Sequence, residues 1–358
     1  MWSNLPELLQ KIRWNMLFAE NPSKQPDAVP TMPTVNKSGT KQCSLCKRRY
    51  STDELVCHYD GHILIRVRPV NSGFEELAER YEIIAPINDE STNEVFRARR
   101  LDKNSPVAIK VLRLQGSEWN QRKQLERFAR ESVEFSKLTH ANIPLVIESG
   151  TTKAGLPFLV SEFAEGATLT EEIASGQQTS ARDLGSIFSQ VCDALIYAHE
   201  MGVFHPDLKP SDIIISRSAS QPDQLAVKVT GFAKGRPWIH GDNQLVQATE
   251  RGDIFGDARY ISPEVCLGRA MDARSNVYSI GCILYEATYG KPPFEADHYF
   301  AIALQKLHHD ANFPQTTRLD GQVESKVRPL IGKALRLDPN ERFQSIAELK
   351  AALLEALA

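Results

Sequence analysis

Strand-like runs come early in this chain and the longest helical patterns come late. Tyr81–Ile84, Glu94–Arg99, Val107–Val111 and Phe158–Glu162 are rich in β-branched and aromatic residues. Leu184–Met201, Ala273–Tyr289 and Ile346–Leu357 carry apolar residues at helical spacing. Segregated strands and helices argue for an α+β domain rather than an alternating parallel sheet. The 358 residues are enough for one large or two medium domains. Hydrophobic residues make up 42% and charged residues 24%, as in a soluble globular protein. A net charge of -3 provides no electrostatic reason to expect nucleic acid or anionic lipid as a partner.

The first 66 residues are different in kind. Residues 1–42 read as an amphipathic helix followed by a flexible linker. Trp2, Leu5, Leu8, Leu9, Ile12 and Met16 share a helical face, and residues 21–42 are rich in Pro, Ser, Thr and Lys. The helix either packs on its own protein or docks on a partner. No run reaches the roughly 20 apolar residues of a transmembrane span, and no cleavage signature marks a signal peptide. Six cysteines over this length are too sparse for a disulfide framework, which points to a reducing, cytoplasmic setting. Cys192, Cys266 and Cys282 fall singly in apolar-periodic segments and read as buried thiols.

From residue 78 to 358 a series of short motifs appears in a fixed order. VAIK ends at Lys110, and FARE ends at Glu131 on a helix. FLVSEF, VFHPDLKPSD, KVTGFAKG, ARYISPE, RSNVYSIGCILYEATYGKPPF and LDPNERF follow. This order and spacing resembles the protein-kinase family, most closely its bacterial Ser/Thr type. The resemblance implies a bilobal fold, with a small β-rich N-lobe and a large helical C-lobe. It also implies roles. Lys110 matches the strand lysine that touches nucleotide phosphates, and Glu131 the helix glutamate that holds it. Asp207 matches the catalytic-loop base, and Lys209 the lysine that steadies the transferred phosphoryl group. Glu264 and Arg342 match a buried structural ion pair. Breaking such a pair costs roughly 3–5 kcal/mol. Val95 and Ala108 match positions above the adenine, Ile214 the position below it, and Ser161 the small gatekeeper. Glu162, Phe163 and Ala164 match the hinge. Phe135, His205 and Phe232 match an internal hydrophobic stack. A packed core would explain these apolar residues equally well.

The departures from the family pattern are concentrated where phosphate and metal are handled. The loop that should carry three glycines reads INDESTNEV, with Asn88, Glu90 and Asn93 at the glycine positions. Side chains there obstruct the approach of backbone N–H groups to phosphate. Asp89, Glu90 and Glu94 add negative charge beside a polyanion. The DFG motif reads Gly231-Phe232-Ala233, and Gly231 cannot ligate Mg²⁺. The Asn of the second metal site is Asp212, still an oxygen donor and able to hold one ion. HRD reads His205-Pro206-Asp207, without the Arg that receives an activation-loop phosphate. An expected Thr is Asp257, which should repel Asp207 or capture Lys209. The loop-anchoring Asp is Asn276, which keeps hydrogen bonds but no charge.

Two readings follow. The first is a pseudokinase, a regulatory or scaffolding module for a protein partner with nucleotide binding retained or lost. The second is a weak or unconventional ATP-dependent Ser/Thr kinase using Lys110, Asp207, Lys209 and a metal on Asp212. A third locus of function is the N-terminus. Cys43 and Cys46 form a C-x2-C knuckle, and Cys57 and Asp60 stand where a second one would. Residues 43–66 resemble the short zinc-ribbon modules found before bacterial kinase domains. Asp60, His58 or His62 is the candidate fourth ligand, and a metal-free knuckle is the alternative.

Overall fold

The computed structural model describes residues 41–43, 49–50 and 64–66, and from 75 onward all but 90–92, 115–116, 218–223, 233–256, 297 and 309. The chain divides into two compact units, residues 1–69 and 70–358. In the first, three short strands form an antiparallel sheet: β1 (Lys41–Cys43), β2 (Arg49–Tyr50) and β3 (Leu64–Arg66), in the order β2-β1-β3. Cys43 ends β1 opposite Leu64. The amphipathic helix and the other proposed zinc ligands, Cys46, Cys57 and Asp60, lie outside the described residues.

The second unit opens with the short helix α1 (Glu75–Ala78) and a five-stranded antiparallel sheet. Its strands are β4 (Tyr81–Asp89), β5 (Asn93–Arg100), β6 (Pro106–Leu112), β7 (Val146–Thr151) and β8 (Pro157–Glu162), in the order β4-β5-β6-β8-β7. The pleat sorts their side chains. Phe96, Val107, Ile109, Val111, Phe158 and Val160 are buried with Leu77 in one cluster on one face. Leu112 and Leu159 belong to a second cluster with Phe128 and Phe135 of helix α2 (Glu118–Ser136).

The rest is mostly helical. Strand β9 (Ala167–Thr168) leads into α3 (Leu169–Ala174), where Thr168 and Glu171 form a capping box. Helix α4 (Ala181–Glu200) is capped by the Ser180 hydroxyl. A 3₁₀ turn (Pro210–Asp212) precedes β10 (Ile213–Arg217), which pairs with β9 and β11 (Leu225–Val229). Then come α5 (Pro263–Cys266), α6 (Ala273–Tyr289), α7 (Tyr299–His308), α8 (Gly321–Ala334) and α9 (Ile346–Leu357). Helix α6 is buried from Ser275 to Tyr289, which makes it the axis of the helical lobe. Gly281 lets α8 approach it, since a Cβ there would stand 2.8 Å from the Ala334 Cβ. The architecture is the kinase arrangement of a β-sheet N-lobe and a helical C-lobe. No helix among the described residues is long and apolar enough to cross a membrane.

Candidate functional site

Strand register gathers the residues expected around a base. Val95 lies opposite Lys110, and Ala108 opposite Ser161, so these four share the sheet face turned away from Phe96 and Ile109. All four are half-buried, as are Ile214 on β10 and Glu162, Phe163 and Ala164 after β8. The Glu162 carboxylate accepts from Lys228 Nζ at 2.8 Å, which ties this segment to β11. Arg97 stacks over the Phe163 ring at 4.8 Å. Lys110 Nζ lies 6.0 Å from the Phe128 ring. Phe128 and Glu131 are three residues apart on α2, so Lys110 faces the side of the helix that carries Glu131.

The catalytic loop is held from several directions. His205 is fully buried. Its Nε2 lies 2.7 Å from the Thr230 carbonyl, and its Nδ1 accepts the Asp207 N–H at 3.3 Å. A carbonyl needs a donor and an amide needs an acceptor, so the ring is the neutral Nε2–H tautomer. The Phe232 ring packs edge-on against His205 at 4.7 Å and stacks with Phe135 at 6.2 Å. The internal stack is therefore assembled. Asp207 is buried, accepts the Asp257 N–H at 2.9 Å through Oδ1, and has Lys209 Nζ 3.7 Å from Oδ2.

Two expectations change at this site. Asp257 does not take Lys209 as its main partner. Its carboxylate is gripped by Arg259, with contacts of 2.9 Å at Nε and 2.6 Å at Nη2, while its main chain donates to Asp207. Burial would raise the Asp257 pKa, but the Arg259 hydrogen bonds and the Arg259 and Lys209 charges outweigh it and hold it below the usual range. Glu94 is not a free charge facing phosphate, because Arg113 pairs with it at 2.5 Å in a largely buried contact. The expectation for Asn276 holds: it keeps hydrogen bonds without the charge. It exchanges two with the His205 backbone, accepting from N at 2.9 Å and donating to O at 2.7 Å.

The metal side has no such substitute. Asp212 is buried, and its carbonyl accepts the Thr230 N–H at 2.8 Å, fixing the residue before Gly231. Gly231 has φ of +93°, a conformation that L side chains rarely adopt, and it offers no oxygen donor beyond its backbone. No group of three His, Cys, Asp or Glu side chains among the described residues could hold a metal. The residues present do not fit the magnesium arrangement that the kinase motifs imply. In the loop that should be glycine-rich, β4 runs on through Asn88 to Asp89, paired with Val95 and Glu94, while Glu90 lies outside the described residues.

The structural pair is complete. Arg342, fully buried, donates to both Glu264 oxygens at 2.9 and 2.8 Å, and Ser275 donates to Oε1 at 2.7 Å. Burial pushes the Glu264 pKa up, but the Arg342 bonds and charge bring it below the ordinary value. Sequence reasoning missed Lys306, which is buried on α7 and donates to the Ile261 carbonyl at 2.5 Å. Nothing distinguishes it in sequence from an exposed helical lysine. It also missed His199, whose Nε2 lies 2.9 Å from Asn276 Oδ1.

Comparison with known proteins supports the kinase fold. Residues 81–353 match the family model described as the protein kinase domain. Serine/threonine-protein kinase PknB of Mycolicibacterium smegmatis is 34% identical over 283 residues, covering 78% of this chain and 43% of the relative. PknB of Mycobacterium tuberculosis strain H37Rv is 34% identical over 282 residues, with the same coverage. A probable serine/threonine-protein kinase of Corynebacterium efficiens is 33% identical over 283 residues, covering 77% of this chain and 41% of the relative. The chain thus spans about two fifths of the length of these relatives.

Proposed function

The chain belongs to the protein kinase family, and from that premise we propose that it works as a pseudokinase. In this reading it is a regulatory or scaffolding module for a protein partner, with a cleft that still accepts a nucleotide or another flat ligand. The observation that carries the reading is Gly231. The position expected to hold Mg²⁺ has no side chain and a left-handed backbone. Phosphoryl transfer depends on positioning and on neutralising charge at the phosphates, so loss of that ligand removes a large part of transition-state stabilisation. Each ~1.4 kcal/mol lost lowers the rate tenfold. The half-buried Val95, Ala108, Ser161 and Ile214 support retention of a base-binding face.

A second reading, a weak Ser/Thr kinase, is favoured by the anchoring of Asp207 between the Asp257 N–H and Lys209. Asp207→Ala separates the two. If trace phosphorylation by purified protein is unchanged in the variant, the trace is contamination and the pseudokinase reading stands. Abolition of the trace by that one change would establish the weak kinase.

For residues 43–66 we propose a structural zinc on Cys43, Cys46, Cys57 and Asp60. Metal analysis of purified protein should find about one zinc per chain, lost in Cys43→Ser. Absence of zinc in the parent protein would leave the metal-free knuckle.

A further inference from the structure

His205 and Pro206 share one peptide unit. Proline has no N–H, so this unit offers only an acceptor, the His205 carbonyl. Asn276 on α6 is fully buried and meets that acceptor with its amide, Nδ2 donating to His205 O at 2.7 Å. Its Oδ1 accepts from His205 N at 2.9 Å and lies 2.9 Å from His199 Nε2. Every polar atom of the side chain is engaged, and only an amide combines these roles.

A carboxylate at 276 could still accept the His205 N–H. Its second oxygen, however, would stand against the His205 carbonyl oxygen, two acceptors with no proton between them in a buried site. A residue with an N–H at 206 would change this. Turning the 205–206 peptide unit over would point that N–H toward α6 and take the carbonyl away. Asp207 is the next residue, and its own N–H is bonded to His205 Nδ1, so the placement of His205 carries over to Asp207.

We infer that Pro206 and Asn276 are a matched pair. The amide at 276 is the anchor that a proline at 206 requires, and it acts as a positioning residue for Asp207 through His205. Restoring the Asp that the kinase resemblance leads one to expect at 276 therefore harms this protein. Replacing Pro206 relieves the harm. The inference stands whether or not the protein transfers phosphate.

The test is a set of urea-unfolding measurements on the full chain at pH 8, where the buried His199 is neutral. The variants are Asn276→Asp, Asn276→Ala and Pro206→Ala, together with Pro206→Ala combined with each substitution at 276. Asn276→Asp should lower the folding equilibrium constant by roughly 100-fold, the cost of a buried carbonyl left facing an acceptor. Pro206→Ala should restore about tenfold of that loss, the scale of coupling between groups in one hydrogen-bond network. It should restore nothing in the Asn276→Ala background. A merely space-filling role for Asn276 would show no such selectivity. Equal effects of Pro206→Ala in the two backgrounds, or no recovery in the Asp background, would overturn the pairing. If Asn276→Asp yields no soluble protein, recovery of soluble protein in the double variant supports the inference, and its absence overturns it.

Discussion

The catalytic loop and the phosphate edge of the cleft both depart from the kinase pattern, yet the departures have different consequences. Around the loop, two of the altered residues, Asn276 and Asp257, have found partners. Asn276 brackets the His205 backbone, and Asp257 is taken by Arg259 while its main chain holds Asp207. At the phosphate edge, Gly231 has no side chain to re-partner. A hydrogen-bonding duty can pass to a different donor or acceptor, because many groups can do it. A metal ligand is an oxygen at one point in space, and a glycine cannot stand in for it. The loop has kept its frame, while Gly231 brings no side-chain oxygen to the cleft.

The largest effect bearing on this comparison belongs to the frame. Arg342→Ala leaves the buried Glu264 carboxylate without its partner and should cost roughly 3–5 kcal/mol in urea unfolding. A loss below about 1 kcal/mol, the exposed-pair range, would mean that the helical lobe does not depend on this network.

Next comes the phosphate edge itself. Gly231→Asp should cost about 1–3 kcal/mol, because φ of +93° is strained for any side chain. It should also make ATP-induced stabilisation depend on Mg²⁺. Strain without any gain of Mg²⁺ dependence would show that the edge lacks more than one ligand.

A smaller effect is expected at Asp257. Its bridge to Arg259 is partly exposed, and its bond to Asp207 comes from the main chain, so Asp257→Ala should cost at most about 1 kcal/mol. A larger loss in urea unfolding would place the carboxylate, rather than the backbone, at the centre of loop anchoring.

The smallest is a pH effect. Burial lowers the His199 pKa, and the bond to Asn276 opposes this only in part. The unfolded chain takes up this proton near pH ~6.5, and the folded chain at a lower pH. In between, the unfolded state holds more protons. Stability is therefore full above about pH 6.5 and falls as the pH drops toward the folded value. Melting followed from about pH 8 to pH 5 should show a slope that His199→Gln reduces. An unchanged slope in that variant would contradict the assignment.

Much of this fold was legible in the sequence. Helices α6 and α9 begin and end where the apolar period does, Ala273–Tyr289 and Ile346–Leu357. The four strand-like runs fall within β4, β5, β6 and β8. Strand β4 runs five residues beyond Ile84 because its partner β5 supplies hydrogen bonds through Asp89, and no single-strand pattern contains that information. Strands β7, β9, β10 and β11 are not marked in the sequence: β9 is only two residues long and carries no period, and β10 and β11 are defined by their pairing with each other. At the site, residue types revealed losses, while compensation depends on register and distance. Glu94 meets Arg113 only because β5 and β6 lie side by side, with Glu94 opposite Val111. Asn276 reaches His205 across 71 positions of sequence.

The most direct test of the account is thermal melting of the purified chain with ATP or ADP, each with and without Mg²⁺. A ligand that binds only the native state raises the midpoint once it exceeds its dissociation constant. The account predicts a rise with nucleotide that is the same with and without Mg²⁺. A rise with ATP that is clearly larger when Mg²⁺ is present would contradict it, because a working metal site would then have survived the loss of the side chain at Gly231.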